Sequence, residues 1–304
     1  MKSSDLRGLY TATITPVNQD RTLDVASLHN MIDYYAENDI QGILAPSSSG
    51  EFYSMTTAMK RQYVEESVKA SKGRIAILAN VSDDCPSVVW EATKVMADLG
   101  ADAVVCQPPH FHGFSQEEIK HFFWDIADRS PLPVILYDHL VSIPTKPTVE
   151  TVVEICTHEN IIGIKDTHRD PERSPLLKKA REEAHADFEV MNGGDGTAAV
   201  GTLCGFGLLN ALSAVRPDIM HDVLKYGHAG DVEKAMAAQE KVNKLMAIFS
   251  CLRGGTSSST LFAMSLKIAL ERKGLCGTQS VIYGFEANDE DRKAVYDILD
   301  HIDD

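Results

Sequence analysis

Pro133-Val134-Ile135-Leu136-Tyr137-Asp138 and Asn160-Ile161-Ile162-Gly163-Ile164-Lys165-Asp166-Thr167 are two short apolar runs, each ending on polar residues. Runs of this length, rich in valine and isoleucine and without alternating polarity, read as strands buried on both faces. The amphipathic stretch between them, Val149 to Cys156, reads as a helix, so the segment forms a β-α-β unit. The same rhythm recurs along the chain about every 25–30 residues, as expected for repeated units around a parallel sheet. Strands are predicted at Leu9 to Ile14, Gly42 to Ala45, Ile75 to Asn80, Ala103 to Gln107, Val134 to Tyr137, Ile161 to Lys165, Phe188 to Met191 and Gly207 to Asn210. Helices are predicted at Val25 to Glu37, Thr57 to Ser71, Ser87 to Leu99, Gln116 to Asp128, Val149 to Cys156, Pro171 to Glu183, Gly196 to Cys204 and Pro217 to Tyr226. Asp24 ahead of the first helix, and Ser115 with Glu118 three residues later, are N-terminal capping signals. Eight such units predict an α/β fold, a (β/α)8 TIM barrel. A doubly wound open sheet is the rival, but no Gly-x-Gly-x-x-Gly follows the first strand.

After Tyr226 the pattern changes to helices alone, predicted at Val232 to Phe249, Thr260 to Lys273 and Asp289 to His301. The expected organisation is a barrel over residues 1–228 and a C-terminal helical extension over 229–304, with no linker between them. Gly254-Gly255-Thr256-Ser257-Ser258-Ser259 lacks the lysine of a phosphate-binding loop and follows no strand, so it reads as a turn between helices.

Composition narrows the function. Of the 304 residues 44% are hydrophobic and 24% charged, an ordinary soluble balance. No run approaches the roughly 18 apolar residues that span a bilayer. The polar start Met1-Lys2-Ser3-Ser4-Asp5-Leu6-Arg7 lacks the layout of a secretory signal, which makes a cytoplasmic location the expectation. Six scattered cysteines without a C-x-x-C pair are expected to be reduced and mostly buried. A net charge of −15 argues against nucleic acid and anionic membranes as partners, while a cleft lined by backbone donors still admits a small anion.

In parallel barrels the residues that end strands carry the chemistry. Lys165 ends one apolar run and must be either desolvated, which favours the nucleophilic amine, or paired with Asp166 or Asp138. Tyr137 ends another, as a proton shuttle or as a packed aromatic. Ser47-Ser48-Ser49-Gly50-Glu51-Phe52 is a flexible loop, or else a set of hydroxyl and backbone donors for a carboxylate, with Gly50 admitting close approach of a ligand. Taken in their chemical roles, the three would converge on one carbonyl substrate: a lysine to form a Schiff base and a phenol and serines to move its protons.

These residues match a known pattern. Ser48-Ser49-Gly50-Glu51-Phe52, Leu136-Tyr137-Asp138 and Gly163-Ile164-Lys165-Asp166-Thr167 resemble the dihydrodipicolinate synthase and N-acetylneuraminate lyase family. So do Thr11-Ala12-Thr13-Ile14-Thr15-Pro16, Asn80-Val81-Ser82, Gly100-Ala101-Asp102-Ala103 and Gly194-Asp195-Gly196, in the right order over the whole chain. The resemblance implies a metal-free class I aldolase, or a related lyase or dehydratase, usually a homotetramer. It needs no cofactor beyond the covalent lysine Schiff base. Lys165 would bond the keto carbon of pyruvate, Tyr137 and Ser49 would move protons, Ser48 and Ser49 would hold the carboxylate, and Gly50 would belong to the substrate-binding loop. Leu209 would line the pyruvate site by its main chain.

Two departures bear on the substrate. The arginine that dihydrodipicolinate synthases carry five residues after the tyrosine is Ser142 here, and their Pro-Tyr-Tyr segment reads Pro109-His110-Phe111-His112. The resemblance therefore leans to the sugar-acid branch, acting on 2-keto-3-deoxy acids by way of pyruvate and an aldehyde. His139, Thr167, His168, Asp195 and Asn210 follow strand ends and are expected to bind substrate hydroxyls, with packing as the other role for His139. His110, His112 and His121 have no carboxylate at ligand spacing, so no metal is expected. Dehydration by the same enamine, 4-hydroxy-tetrahydrodipicolinate synthesis and non-catalytic 2-keto-acid binding remain the alternatives.

Overall fold

A computed structural model describes residues 1–139, 141–252, 257–277 and 283–303. Eight parallel strands close into a barrel in chain order: β1 (Leu9–Ala12), β2 (Gly42–Ala45), β3 (Ala76–Asn80), β4 (Ala103–Cys106), β5 (Val134–His139), β6 (Ile161–Thr167), β7 (Glu189–Asn192) and β8 (Gly207–Asn210). Each is followed by a helix: α1 (Val25–Glu37), α2 (Thr57–Ser71), α3 (Pro86–Asp98), α4 (Gln116–Arg129), α5 (Val149–Ile155), α6 (Arg173–Glu183), α7 (Ala198–Leu203) and α8 (Pro217–His228). The expected (β/α)8 TIM barrel is the fold. Asp24 and Ser115 cap α1 and α4 as anticipated, Ser115 within a complete capping box with Glu118.

Alternation along the strands separates two cores. Tyr10, Ala12, Leu44, Leu78, Val105, Ile135, Tyr137, Met191 and Leu209 fill the barrel interior. Leu9, Ile43, Ile77, Val104, Leu136, Ile164, Val190 and Leu208 point outward into the larger layer beneath the helices. Both faces of every strand are thus apolar, which is why the sequence shows continuous runs in place of a polar alternation.

Element ends differ from expectation in consistent ways. β5 and β6 run two residues longer than predicted, through His139 and Thr167, because their polar ends still pair across the barrel mouth. β1 stops at Ala12, two residues early, and β7 is displaced one residue to Glu189–Asn192. The extension follows as α9 (Val232–Leu245), α10 (Ile248–Cys251), α11 (Ser258–Arg272) and α12 (Asp289–Asp300), so the single helix predicted over Val232 to Phe249 is two. Of the turn predicted around Gly254, residues 254–256 lie outside the described residues, while Ser257 caps α11. Of the six cysteines, Cys106, Cys156 and Cys276 are buried and Cys85 is exposed. Among the described residues no helix is long and apolar enough to cross a membrane.

Candidate active site

The site begins with a register shift. Val134 pairs with Ile161 but Ile135 pairs with Gly163, so β6 carries one extra residue there. Without the shift Lys165 would stand opposite Asp138 and face the helices. With it, Tyr137 pairs with Lys165 and His139 with Thr167, all four on the interior face, while Asp138 and Asp166 pair on the outer face. Lys165 is 3% exposed, and its Nζ lies 4.1 Å from the centre of the Tyr137 ring. The pairing of Lys165 with Asp166 or Asp138, open in the sequence, does not form: both carboxylates lie on the other side of their strands.

That outer pair holds itself together by its own cation. Two buried carboxylates directly opposite one another repel. Arg173, the first residue of α6, bridges them, with its terminal NH2 nitrogen 2.8 Å from Asp138 Oδ2 and Nε 3.1 Å from Asp166 Oδ1. His168 Nε2 adds a bond of 2.8 Å to Asp138 Oδ2, which places His168 outside the mouth, away from the role of hydroxyl ligand. Burial pushes the Asp166 carboxyl up to about 6 against the pull of Arg173. Asp138, Asp166 and His168 form the one metal-like cluster among the described residues, and a guanidinium sits on both of its carboxylates. Arg173 escaped the sequence reading; the available signal was that two aspartates ending adjacent buried strands require a cation.

The serine loop follows β2. Ser48 Oγ is 3.1 Å from the Tyr137 hydroxyl, and Ser49 is buried beside it. Backbone bonds from Gly50 N and Phe52 N to Ser47 O and from Glu51 N to Ser48 O tighten the turn. Gly50 is required by close approach: a Cβ there would stand 2.9 Å from both Thr13 O and Thr15 Oγ1. Lysine, phenol and serine hydroxyl are thus brought together.

Gly193, after β7, packs against the lysine: a Cβ on it would lie 3.0 Å from Lys165 Cε and would overlap Thr167 Oγ1. Asp195 follows, a half-buried residue whose carboxyl group is enclosed, accepting a bond of 3.1 Å from Leu212 N. Burial pushes that carboxyl up to about 7, while the Leu212 bond and the charge of Lys165 pull it down. Gln239, from α9, donates to Asp195 O at 2.9 Å and accepts from Ala199 N at 2.9 Å, so the extension holds this loop. Leu209 is in the interior. Asn210 is not brought to the others: it shares the outward parity of Leu208, and its Oδ1 accepts from Ser213 N at 3.4 Å.

At the mouth, Gln107 Nε2 donates to Ser142 Oγ at 2.9 Å and Ser142 Oγ meets His139 Nδ1 at 2.7 Å. Burial first, then the charge of Lys165, push His139 down to about 4, so the ring is neutral at pH 7. Ser142, standing where the sequence lacks an arginine, orients this imidazole; Gln107 was missed because nothing local marks it. Thr167 Oγ1 is buried with no hydrogen-bond partner among the described residues. His110 does meet a carboxylate, Asp84, at 3.3 Å in an exposed pair, and Phe111 is exposed.

The dihydrodipicolinate synthetase family model matches residues 5–301. The chain belongs to that family. Its curated relatives include the 4-hydroxy-tetrahydrodipicolinate synthases of Pseudomonas putida, 31% identical over 247 residues (81% of this chain, 84% of the relative), and of Laribacter hongkongensis, 29% identical over 271 residues (88% and 89%). Among solved structures, the dihydrodipicolinate synthase from Acinetobacter baumannii complexed with pyruvate superposes with a TM-score of 0.87 at 25% identity, over 98% of this chain and 99% of that one. As a dihydrodipicolinate synthetase family member the protein is an enzyme of the class I aldolase type, a carbon–carbon lyase.

Proposed function

We propose that the enzyme is a pyruvate-dependent aldolase that cleaves or forms a 2-keto-3-deoxy sugar acid through a Schiff base on Lys165. The observation that carries this reading is Lys165 Nζ, buried in the barrel mouth and 4.1 Å from the ring of a tyrosine whose hydroxyl is 3.1 Å from Ser48 Oγ. The amine of Lys165 adds to the 2-keto carbon and water leaves, giving an iminium that accepts electrons. Tyr137 removes the proton of the C4 hydroxyl, the C3–C4 bond breaks into an aldehyde and an enamine, and protonation at C3 followed by hydrolysis releases pyruvate. Ser48 and Ser49 hold the carboxylate, with Ser48 and Ser49 hydroxyls relaying the proton beyond Tyr137. No metal enters the scheme.

Support for a polyol substrate comes from the mouth. A neutral His139 oriented by Ser142, an unpartnered Thr167 hydroxyl and the Asp195 carboxyl suit hydroxyl groups, and Ser142 stands where a carboxylate-binding arginine would be needed for dihydrodipicolinate chemistry. 4-Hydroxy-tetrahydrodipicolinate synthesis is the second reading, favoured by the names of the curated relatives. Dehydration of the same sugar acids shares the enamine and expels the C4 hydroxyl as water. The working form is a homotetramer, which sedimentation velocity checks.

Borohydride reduction with pyruvate present, followed by peptide mass analysis, tests the core of the proposal. A reduced pyruvyl adduct on Lys165 and none in Lys165→Ala is the expected result; a wild-type protein without the adduct refutes the mechanism. Product analysis on 2-keto-3-deoxy acids then separates cleavage, which yields pyruvate, from dehydration, which preserves the carbon count.

A further inference from the structure

Lys267 lies in the middle of α11, outside the eight βα units, and is wholly buried. Its Nζ is 2.9 Å from Oε2 of Glu51, itself only 1% exposed. Glu51 is the residue immediately after Gly50 in the serine loop. It has φ of 60°, a left-handed conformation that a residue with a side chain adopts only when its surroundings impose it. In that conformation Glu51 N donates to Ser48 O at 3.0 Å, closing the turn that presents Ser48 to the Tyr137 hydroxyl.

A buried ion pair is a poor way to glue a helix to a barrel, because desolvating both charges costs most of what their attraction returns and apolar residues of similar volume serve as well or better. What the pair supplies is direction. It fixes one carboxylate in space, and through it the backbone of residue 51. We infer that Lys267 is a positioning residue of the active site, holding the serine loop in the conformation that receives the substrate carboxylate. The C-terminal extension is then part of the catalytic apparatus, and Gln239 on the Asp195 loop is a parallel link from the same extension.

This rests on the pyruvate imine proposed above, and the test separates the two. Lys267→Met, Lys267→Arg and the double variant Glu51→Gln/Lys267→Met are compared with wild type well below their unfolding midpoints. The readout is the pyruvate concentration that gives half-maximal borohydride-trapped Lys165, together with the fraction trapped at saturation. Lys267→Met raises the half-saturating concentration about tenfold or more through loss of alignment, with the saturating fraction preserved and Lys267→Arg largely restoring the wild-type value. A folded Lys267→Met protein with wild-type pyruvate dependence overturns the inference. If that variant fails to fold, the double variant, which removes both charges of this pair, is read in the same way: a tenfold rise supports the positioning role and an unchanged value overturns it. Wild-type protein that traps no pyruvate overturns the proposed function, and this inference with it.

Discussion

Replacing Arg173 with methionine keeps most of the side-chain volume and removes the cation between Asp138 and Asp166. Taking away one partner of a buried ion pair costs about 3–5 kcal/mol, and here two carboxylates depend on the same guanidinium. The loss has a defined pH dependence. The folded protein holds Asp166 at about 6, above its ordinary 3.8, so folding favours the protonated form. Its ionised form therefore costs stability in full above about pH 6, and that cost disappears as the pH falls toward the ordinary value. Arg173 is what pulls Asp166 down, so without it the carboxyl moves higher still, and each unit of that movement is worth about 1.4 kcal/mol. Arg173→Met is accordingly expected to lose about 3–5 kcal/mol at pH 8 and less at pH 5, the difference being about 1.4 kcal/mol for each unit that Asp166 moves. Asp166→Asn in the same background recovers much of the deficit at pH 8. Urea unfolding followed by circular dichroism at the two pH values, at one protein concentration, measures this. Because Tyr137 and Lys165 are the chain neighbours of the two aspartates, borohydride trapping falls in the same variant. A destabilisation independent of pH and untouched by Asp166→Asn would refute the electrostatic account of the clamp.

Four further outcomes are expected. Tyr137→Phe lowers turnover by about 10²–10⁴-fold, the range for a general acid–base group, with a smaller change in half-saturating pyruvate in steady-state assays. Gly50→Ala pushes a methyl to 2.9 Å from Thr13 O and Thr15 Oγ1, so the loop moves: the protein loses about 1–3 kcal/mol in melting experiments and pyruvate binds more weakly. His139, held down at about 4, stays neutral from pH 5.5 upward, and an imidazole NMR titration with a midpoint above 5.5 would contradict the burial argument. Asp195, raised to about 7, costs stability when ionised, so Asp195→Asn should melt higher than wild type at pH 8.5, with most of that advantage gone at pH 5.

The barrel was legible because its strands are buried on both faces and its helices on one, and that difference is written into the polarity of consecutive residues. The strand-end rule then singled out Lys165, Tyr137 and the serine loop, and the extension of helices after β8 followed from the loss of strand-like runs. Strand ends were less legible, because at the mouth of the barrel β5 and β6 keep pairing through polar residues that look like loop.

What only the tertiary structure decided is which way those residues face and what holds them. Counting alternately from Ile161 would turn Lys165 toward the helices; the shift at Ile135 and Gly163 turns it inward, and a run as uniformly apolar as Ile161-Ile162-Gly163-Ile164 carries no polarity pattern to reveal that shift. On β8, Asn210 shares the outward parity of Leu208, which its polarity alone does not reveal. The partners of the site are Arg173 seven residues beyond Asp166, Gln107 on the loop of another strand, and Gln239 and Lys267 from the extension. Their separations in the chain, up to 216 residues between Glu51 and Lys267 from their numbers, obey no local period. A sequence fixes residue types and local periodicity; the pairing of a buried charge with its counter-ion depends on which elements the closed barrel brings side by side.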